Sequence, residues 1–126
     1  MAVLGIGADV TEVARIRAAL ERPRTGARFR ARIFTSREQA YCEARGRARY
    51  QSYAARFAAK EATMKALGRA LGWLEIEVVR LESGRPEVVL HGAAAAYAAR
   101  HGVACLHLAL THTAEIAVAH VIAERG

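Results

Sequence analysis

At 126 residues, 53% of them hydrophobic, the chain suits one domain with a real core, which excludes a disordered composition. It contains no run of about 18 apolar residues, which excludes a membrane-spanning helix. The net charge of +7 is uneven: residues 15–60 hold thirteen Lys and Arg against three Asp and Glu, while residues 64–126 hold six of each. Such a field suits an anionic partner: nucleic acid, an acidic protein or a phosphate-rich small molecule. Arginine enrichment from genome composition fits the seventeen Arg among nineteen basic residues, but it does not account for the asymmetry.

Residues 2–10 read as a buried strand ending at Asp9, with Gly5 and Gly7 allowing another backbone to approach. The opening residues lack a basic leader pattern, so a cytoplasmic protein is expected. Asp9-Val10-Thr11-Glu12 has the form of a capping box, predicting a helix from Thr11 to Glu21 with Val13, Ile16 and Leu20 inward. Capping alone is a sufficient reason for an Asp, because losing a cap costs about 0.5–2 kcal/mol. Asp9 also lies where strand becomes helix, a common place for ligand sites in α/β proteins. Pro23 ends or bends the helix.

Residues 24–33 predict a short basic amphipathic helix or an ordered loop. Phe34-Thr35-Ser36 offers a cap for a helix over Arg37–Arg45, and Arg45–Arg49 reads as a basic loop. The central helix follows, from about Tyr50 to Ala70, with Gly68 placed as a C-cap. Phe57, Glu61, Met64, Lys65 and Gly68 fall near one face of it. Glu61 and Lys65 are one turn apart. They read either as a surface ion pair, contributing about 0.2–0.5 kcal/mol, or as groups for a metal ion and a phosphate.

The second half predicts a strand over Ile76–Glu82, a turn at Ser83-Gly84-Arg85-Pro86 and a returning strand over Glu87–Leu90. A short helix over Ala93–Arg100 and strands over Cys105–Thr111 and Ile116–Ala123 complete the chain, with His112 in the turn between those strands. The order predicts an α+β fold with an antiparallel sheet at the C-terminal side. Cys42 and Cys105 are far apart and outside a CxxC spacing, so both are expected as free, buried thiols.

Asp9, Glu61 and His112 are polar residues in apolar settings. Two carboxylates with few other oxygen ligands suit Mg²⁺, which keeps waters and shares substrate phosphates, and Lys65 could reach a phosphate as a point charge. A histidine such as His112, taken alone, is more often a turn or buried hydrogen-bonding residue than a functional one. No Walker motif or HExxH is present.

Taken together, the motifs Gly5-Ile6-Gly7-Ala8-Asp9-Val10 with Glu12 and Arg15-Ile16, Phe34-Thr35 with Glu38 and Tyr41-Cys42, Arg56-Phe57-Ala58-Ala59-Lys60-Glu61-Ala62 with Lys65-Ala66-Leu67-Gly68, Gly84-Arg85-Pro86, and Leu110-Thr111-His112-Thr113 carry a resemblance. In this order and spacing the chain resembles the holo-acyl-carrier-protein synthases, the short bacterial 4′-phosphopantetheinyl transferases. The resemblance spans nearly the whole chain. It implies a single 4′-phosphopantetheinyl-transferase-like domain over residues 1–126, with a mainly antiparallel sheet packed against a long central helix.

The implied activity is transfer of 4′-phosphopantetheine from coenzyme A to a serine of apo acyl carrier protein, leaving adenosine 3′,5′-bisphosphate. By the same resemblance Asp9 and Glu61 are the Mg²⁺ ligands, and Glu61, Lys65 and His112 are catalytic. Arg56, Lys65, Gly84, Arg85, Pro86, Thr111 and His112 hold coenzyme A. Arg15 and Arg22 dock the acidic carrier, and the expected assembly is a homotrimer with sites between subunits. Ala109 stands where the family usually has serine, so that serine's hydrogen bond is not expected here. Two other readings are a basic nucleic-acid-binding module on residues 15–60, which shows no recognisable nucleic-acid motif, and a non-catalytic relative that binds coenzyme A. No membrane or nucleic-acid partner is expected.

Overall fold

The computed structural model describes residues 2–126 and is built around one helix. The elements run β1 (Val3–Glu12), α1 (Val13–Glu21), α2 (Thr25–Ile33), α3 (Ser36–Glu43), α4 (Arg49–Leu67), β2 (Ile76–Arg80), β3 (Pro86–Leu90), α5 (Gly92–Arg100), β4 (Val103–His112) and β5 (Ile116–Arg125). Single 3₁₀ turns at Gly46–Ala48 and Trp73–Glu75 flank α4 and β2. The strands form a three-stranded antiparallel sheet in the order β1-β5-β4 and a separate β2-β3 hairpin. The α+β expectation holds. Among the described residues no helix is long and apolar enough to cross a membrane.

Small residues let the sheet lie close on α4. Ala58, Ala59, Ala62 and Ala66 of the helix meet Ala119, Val121 and Ala123 of β5, all buried. A Cβ at Gly5 or Gly7 would overlap the carbonyl oxygens of Ala66 and Ala62, so β1 reaches the helix only because both positions are glycine. The other half of the core is aromatic. Phe57 stacks on Trp73 with ring centroids 5.1 Å apart, and Phe34 meets Tyr53 edge-on at 4.8 Å.

α4 also carries a charge into the interior. Lys60 is fully buried, pairs with Glu38 at 2.8 Å and donates to the carbonyls of Trp73 and Ile76. Glu38 in turn accepts from the backbone N–H groups of Thr35 (2.9 Å) and Val78 (2.8 Å). The pair joins α3, α4, the Trp73–Glu75 turn and β2, with the hydrogen bonds a buried charge needs.

Several boundaries differ from expectation. Asp9 does not cap α1: β1 continues to Glu12, because Thr11 and Glu12 pair with Ala117 and Ile116 of β5. The helix starts at Val13, which donates to the Glu115 carbonyl, and its inward residues are Val13, Ile16 and Leu20 as expected. The capping box lies instead at Thr35 and Glu38, opening α3. α4 stops at Leu67, three residues early, where Gly68 turns left-handed at φ 71°. His112 belongs to the end of β4, opposite Ala117, and not to a turn. Cys42 is buried, and burial pushes its thiol up to about 12, whereas Cys105 is exposed on β4.

Candidate active site

The approach of β1 to α4 sets Asp9 against Glu61. Thr11 donates its hydroxyl to Asp9 Oδ2 at 3.1 Å, and Lys65 Nζ donates to Asp9 Oδ1 at 3.0 Å and to the Ala8 carbonyl at 3.1 Å. Partial burial raises the Glu61 carboxyl above its usual range. The negative charge of Asp9 and a hydrogen bond shared with it push further in the same direction, and Arg15 and Lys65 oppose the rise. The result is a half-buried pair of carboxylates with one ammonium alongside. Among the described residues no group of three or more His, Cys, Asp and Glu could enclose a metal. A pair of hard oxygen ligands whose charges repel suits a cation such as Mg²⁺ that keeps waters and takes phosphate oxygens from a substrate.

A second cluster lies elsewhere on α4. Five positions separate Arg56 from Glu61, roughly 140° around the helix. Arg56, Gly84, Pro86 and His112 line one pocket of about 240 Å³ between α3, α4, the β2–β3 turn and the end of β4. Three further residues of that pocket were given no site role from sequence: Tyr41, which carried part of the resemblance, Arg45 and Arg80. The Arg56 guanidinium lies 4.0 Å from the centre of the Tyr41 ring, and Arg80 donates to the Tyr41 hydroxyl at 2.7 Å. Arg56 is only 5% exposed, yet its buried Nε has no hydrogen-bond partner. An unpaired buried donor costs about 1–3 kcal/mol, so a guanidinium held this way favours an incoming anion. Seventeen arginines offer no pattern that marks Arg45 and Arg80; only the hairpin and the end of α3 bring them together.

The structure therefore divides the sequence-predicted residues. Asp9, Glu61 and Lys65 stand together, and Arg56, Gly84, Pro86 and His112 stand together, with no residue common to the two groups. Arg85 lines a neighbouring groove of about 150 Å³ with Glu87 and His107. Thr111 is exposed opposite Val118. Arg15 sits on α1 with its guanidinium 6.0 Å from the Phe57 ring centre, one turn of α4 before Glu61. Arg22 is exposed at the end of α1.

Residues 5–119 match the profile of the 4′-phosphopantetheinyl transferase superfamily. The chain belongs to that superfamily. Within it, a holo-[acyl-carrier-protein] synthase of Anaeromyxobacter sp. (strain K) is 54% identical over 125 residues, spanning 97% of this chain and 96% of the relative. The crystal structure of the holo-ACP-synthase of Plasmodium yoelii superposes with a TM-score of 0.86 at 29% identity, covering 99% of this chain and 97% of that one. The holo-(acyl-carrier-protein) synthase of Bacillus anthracis, solved in complex with CoA (3′,5′-ADP), superposes with a TM-score of 0.80 at 31% identity, covering 98% of each chain. This superfamily member thus shares its fold with synthases along nearly its full length.

Proposed function

We infer that this protein is an enzyme that transfers 4′-phosphopantetheine from coenzyme A to a serine of apo acyl carrier protein, releasing adenosine 3′,5′-bisphosphate. The observation that carries the reading is the coexistence of a paired-carboxylate site with one ammonium (Asp9, Glu61, Lys65) and a pocket lined by three arginines. One suits a reacting diphosphate, the other a phosphorylated nucleotide.

Asp9 and Glu61 are the proposed Mg²⁺ ligands; when bound, the ion neutralises charge that develops on the diphosphate. Arg45, Arg56 and Arg80 hold phosphate oxygens of coenzyme A, and His112, Thr111 and the Gly84-Arg85-Pro86 turn position its nucleotide. The carrier serine attacks the β-phosphorus in line, and the bond from that phosphorus to the bridging oxygen breaks. Glu61, or a water that it orients, accepts the serine proton. Lys65, more than half exposed, moves from Asp9 to neutralise the leaving phosphate. Arg15 and Arg22 meet the acidic carrier.

The proposed active enzyme is a homotrimer. On the outer face of the three-stranded sheet, Ile6 is 67% and Val10 62% exposed, with Ile122 opposite Ile6. A large apolar strip of this kind supports self-association. We propose that joining chains along it completes the active site, with the carboxylate group from one chain and the arginine pocket from the next. Residues 1–126 are proposed to act as a single cytoplasmic domain.

The test is to mix the protein with apo acyl carrier protein, coenzyme A and Mg²⁺ and weigh the carrier by mass spectrometry. The expected result is a carrier heavier by one phosphopantetheine, with no gain after the cation is chelated. An unmodified carrier, with a known synthase working in parallel, overturns the reading. Binding of coenzyme A without transfer would identify a non-catalytic relative.

A further inference from the structure

Beyond the carboxylate site, α4 ends in a second basic surface. Arg69 and Ala70 line two adjoining depressions. One, of about 380 Å³, also contains Glu61, Met64 and Lys65. The other, of about 190 Å³, contains Glu75, Tyr97 and Arg100. Tyr97 donates its hydroxyl to the Leu67 carbonyl at 3.2 Å, fixing α5 to the last turn of α4. The Arg69 guanidinium lies 5.1 Å from the centre of that tyrosine ring, and the His101 ring stacks on it at 4.1 Å. Glu75 is the one carboxylate lining the second depression, and it is engaged with the Ala93 N–H at 3.0 Å. Among the described residues neither Arg69 nor Arg100 pairs with a carboxylate, although both are exposed. Arg17, for comparison, pairs with Glu21.

Position gives these free guanidinium groups a role. Arg15 stands beside Phe57, one turn of α4 before Glu61, and Arg69 follows Glu61 just beyond the Gly68 cap that ends the helix. The helical span from Phe57 to Leu67 is about 15 Å at about 1.5 Å per residue, and Arg69 lies just past the Gly68 cap. A protein substrate that covers about 800 Å² occupies a patch roughly 30 Å across. A carrier whose serine reaches Glu61 therefore covers both flanks of the carboxylate pair.

We propose that Arg69 and Arg100, braced by Tyr97, form a second docking surface for the acidic carrier protein, on the far side of Asp9 and Glu61 from α1. The surface takes carboxylates from the carrier, which guanidinium groups engage in two-pronged hydrogen bonds. The proposal rests on the transferase reading. It adds a specificity element that works with the first half of the chain but lies outside it.

The experiment is steady-state transfer by the full chain carrying Arg69→Ser with Arg100→Glu, varying carrier at saturating coenzyme A and then the reverse. The expected result is a KM for carrier raised about tenfold, with kcat and the KM for coenzyme A within about twofold of the parent. The carrier KM should also depend less steeply on salt than in the parent. Circular dichroism and thermal melting check the fold, and Arg100→Gln alone serves if the double variant does not fold. An unchanged carrier KM overturns the proposal. So does a raised KM for coenzyme A with the carrier unaffected, which would assign the arginines to the nucleotide. A parent protein that modifies no carrier overturns the transferase reading itself, whereas an active parent with indifferent variants removes only the docking surface.

Discussion

Glu61 is held where its own charge is unwelcome. Burial and the neighbouring Asp9 both favour its protonated form, and Lys65 and Arg15 only partly compensate. Stability does not require that arrangement, so removing the charge should not harm the fold. Glu61→Gln is expected to melt at or above the parent temperature and to lose transfer by at least about 100-fold, as loss of a proton acceptor does. Mass spectrometry of the carrier and a thermal melt check the two halves of that statement.

Glu77 shows the opposite balance. Burial would raise its carboxyl, but hydrogen bonds from Thr35 (2.6 Å) and His91 (3.0 Å), with the charges of His91 and Arg37, outweigh burial and lower it. A carboxyl lowered in the folded state adds stability that is full above its unfolded pKa of about 4.3 and disappears as pH falls through the folded value. Glu77→Gln should therefore flatten the loss of stability below about pH 4.3. Urea midpoints measured from pH 3 to 7 in parallel with the parent check it; equal slopes would exclude Glu77 as a contributor.

Among the elements, α4 separates its two lysines by function. Lys60 is sealed inside with Glu38, and Lys65 lies at the surface with Asp9. Nothing in the local pattern Ala-Ala-Lys60-Glu61-Ala-Thr-Met-Lys65 distinguishes them, since both sit among good helix formers. The difference comes from what covers each face: α3, β2 and the Trp73 turn over Lys60, solvent over Lys65. Lys60→Met leaves Glu38 as a buried charge without its partner, so it should destabilise the fold by about 3–5 kcal/mol. Chemical denaturation measures this. A loss below about 1 kcal/mol would mean that backbone N–H groups alone satisfy Glu38.

The elements most legible in the sequence were those fixed by local chemistry. The Thr35 cap, the Gly68 stop, the Gly84 hairpin and the inward residues of α1 all follow from side chains within one turn of their neighbours. The end of β1 did not. Asp9-Val10-Thr11-Glu12 satisfies a capping pattern, but β5 offers three further pairs of strand residues, and the ladder outweighs a single cap. The role of Asp9 followed from that competition: freed from capping, its carboxylate turns to Lys65 and Glu61.

For the whole molecule, the outer face of the β1-β5-β4 sheet is the surface on which the proposed homotrimer would form. Ile6 stands exposed on the edge strand β1, opposite the exposed Ile122 of the central strand β5. Ile6→Lys puts a charge on that face without touching the core. It is expected to turn the proposed trimer into a monomer in analytical ultracentrifugation and to abolish transfer, although Asp9, Glu61 and Lys65 remain intact. A monomeric variant that keeps full activity would show that one chain suffices.

The α+β order, the helix that carries Glu61 and Lys65, and the family resemblance were legible from the residues alone, because helix periodicity, caps and turn residues act over a few positions. The sequence also showed a basic first half suited to an anionic partner. Which charges face which cavity emerged with the packing of the folded chain. Glycine contacts bring Asp9 to Glu61, and hairpin placement gathers Arg45, Arg56 and Arg80 around Tyr41. Burial divides Lys60 from Lys65, and the pinning of α5 to α4 leaves Arg69 and Arg100 beside the site. These are contacts between residues distant in the chain. Their chemistry depends on solvent exclusion and on distances in space, quantities that no local pattern of residues contains.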